Sequence, residues 1–160
     1  MVPVYRALAL IVAVGFKSRA IAKSAYNAFM SSNIIPATSV DGSGNATLNL
    51  PALKFALGTM GSTPIDSATA TAGSNNASVQ WDDTLEPIGS NASDESYICA
   101  YNADTGEWAQ GNGDLRSEGS TSVEFENNFT AGQTIHFYLF FKAPNSDVVS
   151  DSVHTSVTIA

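Results

Sequence analysis

Two histidines and one cysteine are the residues of this sequence best suited to catalysis or metal binding, and their positions predict neither. His136 and His154 fall in alternating strand patterns, and no Gly-x-Ser-x-Gly motif supplies a nucleophile that either could activate. Cys99 lies in an apolar strand pattern, where a free cysteine usually packs as a small hydrophobe. Without close spacing, these three residues do not form a zinc signature. We therefore expect no enzyme activity, no cofactor and no metal site.

Acidic pairs and one tryptophan are weaker candidates. Asp82-Asp83 and Asp94-Glu95 are adjacent in sequence, and neighbouring side chains on a strand point to opposite faces. Solvated charge therefore explains both pairs better than a calcium site or a pair of catalytic carboxylates does. Trp108 follows a predicted hairpin turn, where it could stack on a sugar ring or pack against the core. We favour packing.

The charge of the chain is divided unevenly along its length. Residues 1–40 carry +4 from Arg6, Lys17, Arg19 and Lys23, and the remainder carries −12, which gives the formal net charge of −8. An acidic body of this kind repels phosphate backbones, so we exclude nucleic acid as its partner. It could attract a basic surface, including the basic segment of a neighbouring copy.

The segment Thr134–Lys142 is the strand around which we expect the fold to be organised. Its residues alternate between two faces, because strand side chains point to opposite sides in turn. One face carries Ile135, Phe137, Leu139 and Phe141, and the other carries His136, Tyr138 and Phe140. Large side chains on both faces predict a central strand that is covered on both sides.

Short strands separated by Gly, Pro, Asn, Asp and Ser clusters make up the rest of the chain after residue 47. We predict them at 54–57, 65–72, 77–81, 96–101, 107–110, 121–126 and 148–159, with a polar loop at 111–119. Strands at this spacing, with no helices between them, predict an antiparallel β-sandwich. The turn Val40–Asn45 separates a helical segment, residues 1–40, from a β-sandwich domain, residues 41–160.

The first helical stretch, Val2–Phe16, is apolar on all sides apart from Arg6 and falls short of the roughly 20 residues of a membrane span. Such a helix needs burial, either against the β body or against a partner chain. Alternatively it is a signal peptide, with Ala20-Ile21-Ala22 as the cleavage site. We favour burial and predict partner contacts by Val4, Leu8, Ile11, Val12, Phe16, Arg19 and Lys23.

The second helical stretch, Ser18–Met30, has an amphipathic pattern with Ser18 as its N-cap. Ile21 belongs to its apolar face, whereas Arg19 and Lys23 belong to its polar face. This basic face is either solvated or in contact with the acidic body of a neighbouring molecule.

Several short motifs together resemble a family of uncharacterised proteins that is common in Bacteroidetes and their mobile elements, including phages, and is known only as a domain of unknown function. The motifs are Gly15-Phe16-Lys17, Ser24–Phe29 with Asn33, Trp81-Asp82-Asp83, Ala100-Tyr101-Asn102 and Val149–Val153. The resemblance implies a helical lead-in followed by an immunoglobulin-like or fibronectin III-like sandwich that serves in assembly or at a surface. It implies no catalytic residue.

We therefore predict a mainly β, antiparallel sandwich preceded by an N-terminal helical segment, with a non-enzymatic role. The protein would associate with itself or decorate a larger assembly through its helices, in a phage virion or at a bacterial cell surface. The alternative hypothesis is a secreted glycan- or protein-binding module with a cleaved signal peptide.

Overall fold

The helical segment consists of three short helices. The computed structural model describes residues 1–160, with α1 at Val2–Ala7, α2 at Ala9–Gly15 and α3 at Ala25–Asn33. The predicted single helix over Val2–Phe16 is divided into two, because the backbone at Leu8 leaves the helical region (φ −124°, ψ 29°). None of the helices has the length and apolar content that a membrane span requires.

The helix α3 begins later than the sequence pattern predicts. Ser24 is its N-cap, since Asn27 N donates a hydrogen bond of 3.1 Å to Ser24 Oγ. The predicted start at Ser18 was wrong, because Lys17–Arg19 forms only a 3-10 turn and Ala22 has a positive φ of 57°, which interrupts a right-handed helix.

Nine strands form three antiparallel sheets. The strands β1 (Thr38–Val40) and β2 (Ala46–Leu48) form a hairpin, so the predicted boundary at residues 40 and 41 falls at its turn. A three-stranded sheet has the order β3 (Ser67–Ala70), β4 (Asn76–Gln80), β7 (Ser120–Glu124). A four-stranded sheet has the order β6 (Trp108–Leu115), β5 (Glu95–Asn102), β8 (Thr134–Lys142), β9 (Val153–Thr158).

The two larger sheets enclose a hydrophobic core and form a sandwich. Their seven strands are divided into four and three, as in immunoglobulin-type sandwiches. The core between them contains the inward side chains of both sheets, among them Val79, Ile98, Val123, Phe137 and Phe141. The prediction of a mainly β, antiparallel sandwich preceded by helices is confirmed.

The central strand β8 has the predicted bounds and lies between β5 and β9. Its second face is also buried, because the helices cover the outside of the four-stranded sheet. Cys99 and Tyr138 on this outer face share one hydrophobic cluster with Phe16 and Phe29 of the helical segment. We call residues 1–33 the helical cap.

The linking segment Leu50–Leu57 joins the helical cap to the sheet. Phe55 lies between the two, with its ring centroid 5.9 Å from that of Phe29 and 4.7 Å from that of Tyr138. The Asn33 side chain donates to Lys54 O (2.9 Å) and accepts from Lys54 N (2.7 Å). Tyr138 Oη donates to Leu50 O (2.8 Å). Both parts of the chain therefore contribute to one core.

Several predicted strand bounds differ from the structure. Residues 54–57 are not a strand, because their backbone groups bond to Asn33 and Ser152 side chains rather than to a neighbouring strand. The predicted polar loop at 111–119 was wrong up to Leu115, because Gly111 and Asn112 continue the pairing of β6 with β5. The last strand begins only at Val153.

A buried ion pair fixes one end of the sandwich. Arg116 Nε lies 3.2 Å from Asp94 Oδ2, and both side chains are almost completely buried. The guanidinium also donates to Thr63 Oγ1 and lies 3.9 Å over the Phe141 ring. Trp81 Nε1 donates to Arg116 O (2.8 Å). The Arg116 side chain is therefore satisfied only as long as these partners stay in place.

Candidate partner-binding groove

The predicted partner-contact residues separate into two groups. The apolar members are buried within this chain, where they fill the cluster under the helical cap: Val4, Leu8, Ile11, Val12 and Phe16. Of the two environments predicted for this helix, they occupy the β body of their own chain, so a partner cannot reach them in this arrangement. The basic members, Arg19 and Lys23, are exposed.

Arg19 and Lys23 line the largest groove in the molecule, which has a volume of about 710 Å³. Four segments form its walls: residues 18–23 before α3, Ala28 and Ser32 of α3 itself, Leu57–Thr59 of the chain leading into the sandwich, and 146–149 between β8 and β9. We call it the basic groove. Ile21 and Val148 offer apolar surface in it, with 83% and 39% of their area exposed. An open groove that combines cations with exposed apolar side chains is a surface suited to another macromolecule.

The segment that carries the two cations has a constrained backbone. Ala22 has φ +57°, a left-handed conformation that a non-glycine residue adopts at some cost in free energy. On the far side of it, Ser24 caps α3, and on the near side Arg19 Nε donates to Leu57 O (3.4 Å). This geometry holds Ile21 away from the core, although the sequence pattern had placed Ile21 on the buried face of a helix.

The charge of the groove is positive with one acidic position. Lys17 Nζ lies 2.9 Å from Asp147 Oδ1 in an exposed ion pair, so these two charges largely compensate each other. Arg19 and Lys23 have no carboxylate partner. Two uncompensated cations beside exposed apolar atoms favour a ligand that carries carboxylates next to apolar side chains.

The two histidines that sequence analysis considered for chemistry meet on the outer face of the four-stranded sheet. His136 Nδ1 lies 2.9 Å from His154 Nε2, and the rings are stacked with centroids 5.2 Å apart. Burial lowers the pKa of His136. Burial, the neighbouring imidazole of His136 and the ammonium of Lys54 lower the pKa of His154 to about 4. The pair is therefore neutral at pH 7 and lies apart from the basic groove.

We expect this histidine pair to make the stability of the fold dependent on pH. A histidine in the unfolded chain has a pKa near 6.5. Between that pH and the lower pKa of the folded state, the unfolded chain therefore binds more protons than the folded chain does. The contribution of the neutral histidine pair to the free energy of unfolding is therefore fully present above about pH 6.5 and is lost as the pH falls toward 4. The loss for His154 should be about 1–3 kcal/mol after allowance for its partial exposure. Urea unfolding at neutral and acidic pH measures this loss of stability. His154→Gln should remove much of the loss that occurs on acidification. An unchanged pH profile in this variant would contradict the assignment.

The other candidates for chemistry lie in structural environments. Cys99 is buried under the helical cap, and this burial raises the pKa of its thiol well above the usual value. The Trp108 ring packs against Tyr101 (4.4 Å between centroids) and Phe55 (5.7 Å) at the edge of the cluster under the helical cap, so its packing role is confirmed. Asp94 pairs with Arg116 and Asp82 accepts from Thr84 N in a turn. No three His, Cys, Asp or Glu side chains come together as metal ligands.

Sequence analysis missed three contributors to the groove. Leu57, Thr59 and Val148 come from segments far from residues 18–23 in sequence. Leu57 and Val148 were assigned to predicted strands, and Thr59 lay outside every predicted strand. Tertiary contacts bring them together: Met60 N donates to Val149 O (3.1 Å), which joins two of the walls, and Arg19 Nε donates to Leu57 O (3.4 Å), which joins them to the basic residues. The available signal was the apolar Val148-Val149 pair next to a turn, which does not by itself indicate a groove.

Comparisons with known proteins give a family match and a distant structural neighbour. No curated protein matches the sequence. Among solved structures, the fibronectin type-III domain of human fibronectin type III domain containing protein 3 matches with 19% sequence identity and a TM-score of 0.36, over 64% of this chain and 84% of that chain. The predicted association with Bacteroidetes and phages stays a prediction. The model of a family described as "Family of unknown function (DUF6266)" matches residues 2–156, which include the helical cap and the sandwich, and the chain therefore belongs to this family.

Proposed function

We propose that this protein is a non-enzymatic interaction protein that binds an acidic, partly apolar segment of another protein in the basic groove. The observation that carries the proposal is the groove itself, in which the exposed cations Arg19 and Lys23 stand beside the exposed Ile21. Exposed apolar atoms beside uncompensated cations complement a partner that carries carboxylates next to apolar side chains.

The helical segment then has two roles, one for its apolar side chains and one for its basic side chains. Its apolar side chains stabilise the sandwich from outside, and its basic side chains form the contact surface. The chain thus attaches through the groove that the helical cap builds with residues 57–59 and 146–149. The alternative of a cleaved signal peptide lacks support, since cleavage near Ala22 would remove α1 and α2 from the core.

We place this role in an assembly such as a phage virion or a bacterial surface structure. Two properties support such a setting. The acidic sandwich keeps the molecule soluble and repels like surfaces, and the basic groove selects partners of opposite charge. Sedimentation of particles isolated from the source cells, followed by mass spectrometry, tests the setting: the protein should co-sediment with particles, and its recovery only in the soluble fraction would contradict it.

A peptide titration tests the binding function. The probe is a blocked peptide of sequence Leu-Glu-Ala-Leu-Glu, and its matched control has glutamine in place of both glutamates. We expect the acidic peptide to shift the amide NMR signals of Ile21, Lys23 and Val148, and Lys23→Glu to weaken its binding about tenfold through charge reversal. The control peptide should bind weakly. Equal shifts with both peptides, or shifts only outside the groove, would contradict the proposal.

A further inference from the structure

A second surface of this molecule carries carboxylates next to exposed apolar side chains, the combination that suits a ligand of the basic groove. The loop 82–90 between β4 and β5 exposes Ile88 and Leu85, with 88% and 41% of their area accessible, and it carries the exposed acids Asp83 and Glu86. We call it the acidic loop. In this loop the apolar side chains alternate with carboxylates, so it offers apolar atoms beside negative charge, the complement of the basic groove.

The acidic loop is held in one shape before any partner binds. Thr84 N donates to Asp82 Oδ1 (2.9 Å), Ser90 N donates to Pro87 O (2.9 Å), and Pro87 restricts its own backbone. Gly61 N donates to Ile88 O (2.8 Å), which fixes the loop to the sandwich. A loop ordered in this way loses little conformational entropy on docking, which favours its use as a rigid contact.

The acidic loop and the basic groove are neighbours on the molecular surface. Thr59 lines the groove, and Gly61, two residues further along the chain, bonds to the acidic loop. Two residues span at most about 7 Å of chain. Two complementary patches that lie side by side allow two copies to dock reciprocally about a two-fold axis, so that each groove receives the loop of the other copy.

We propose that the occupant of the basic groove is the acidic loop of a second copy of this chain, and that the protein forms a two-fold dimer through both contacts. Ile88 of one copy packs against Ile21 of the other, and Glu86 meets Lys23. Each of the two reciprocal contacts joins residues 1–40 of one copy, which carry a charge of +4, to residues 41–160 of the other copy, which carry −12. This inference rests on the proposed function and names the partner that fills the groove.

A charge-swap experiment on the full-length chain tests the dimer. Sedimentation velocity over a range of concentrations should show a dimer for the natural sequence. Lys23→Glu and Glu86→Lys should each raise the dimer dissociation constant about tenfold or more, because each places like charges opposite each other. The variant with both changes should recover the natural dissociation constant to within about threefold, since the pair is then restored with reversed sign.

Matched controls separate the contact from general effects of charge and hydrophobicity. Glu126→Lys changes an exposed glutamate elsewhere and should leave the dimer intact. Ile88→Asp should abolish the dimer, whereas Ile35→Asp, at an isoleucine that is 85% exposed, should not. A chain that stays monomeric at the highest concentration, or a double variant as weak as the worse single variant, would overturn the dimer. If the acidic peptide still binds the groove in that case, the proposed function stands and only its occupant was wrong.

Discussion

A chain that lacks residues 1–33 should lose most or all of its stability. The deletion removes the helical cap and exposes the outer face of the four-stranded sheet, including Cys99, Tyr138 and Phe140. Each buried Leu, Ile, Val or Phe side chain contributes about 1.5–3 kcal/mol, and the cap buries several of them. The total is comparable with the stability of a whole domain, which is about 5–15 kcal/mol. Urea unfolding followed by circular dichroism measures the loss.

A pair of leucines provides a control that keeps the chain complete. Leu8 is 1% exposed in the cap core, and Leu10, on the outer side of α2, is 74% exposed. Leu8→Ala should destabilise the fold by about 2–5 kcal/mol. Leu10→Ala should change its stability by no more than about 0.5 kcal/mol. Equal effects of the two changes, or a truncated chain that unfolds at the natural urea midpoint, would show that the cap is not part of the core.

Replacement of Asp94 by alanine should destabilise the protein by about 3–5 kcal/mol, because it leaves the Arg116 guanidinium charged, buried and without its carboxylate. Thr63 and the Phe141 ring would stay near the guanidinium but cannot neutralise it. The free energy of unfolding from urea titration at neutral pH measures this change.

The exposed ion pair between Lys17 and Asp147 is the matched control. Its side chains are 63% and 53% exposed, and an exposed pair of this kind contributes about 0–1 kcal/mol. Asp147→Ala should therefore be nearly neutral. A similar loss in both alanine variants would mean that the Asp94 site is open to water in solution, contrary to the structure.

The sequence predicted the features that depend on local alternation. The strand Thr134–Lys142 and the antiparallel sandwich followed from period-two patterns of large side chains between turn residues, although one of the predicted strands, 54–57, does not form. The burial of Phe16 and Leu8 followed from a helix too apolar to be solvated. In each case the direction of a side chain follows from the pattern of its near neighbours in sequence.

Features that depend on tertiary contacts did not follow from the sequence. The start of α3 at Ala25, after the Ser24 cap, follows the positive φ of Ala22, which no pattern in the segment indicates. The ion pair joins Asp94 and Arg116 across 22 positions, and sequence analysis had assigned Asp94 to solvated charge. The basic groove needs the contact between residues 57–60 and 148–149. A single sequence shows which residue types are present, but it does not show which distant residues come into contact in the folded chain.

The reactivity of Cys99 tests most directly whether the helical cap covers the sheet of its own molecule. Cys99 is the only cysteine and lies beneath the cap, so its rate of labelling by a thiol reagent reports how often the cap opens. The structure predicts slow labelling that does not change when the protein is diluted, because the cap is intramolecular. Labelling that becomes rapid on dilution, while circular dichroism shows an intact sandwich, would show that a partner supplies the cover and would contradict this account.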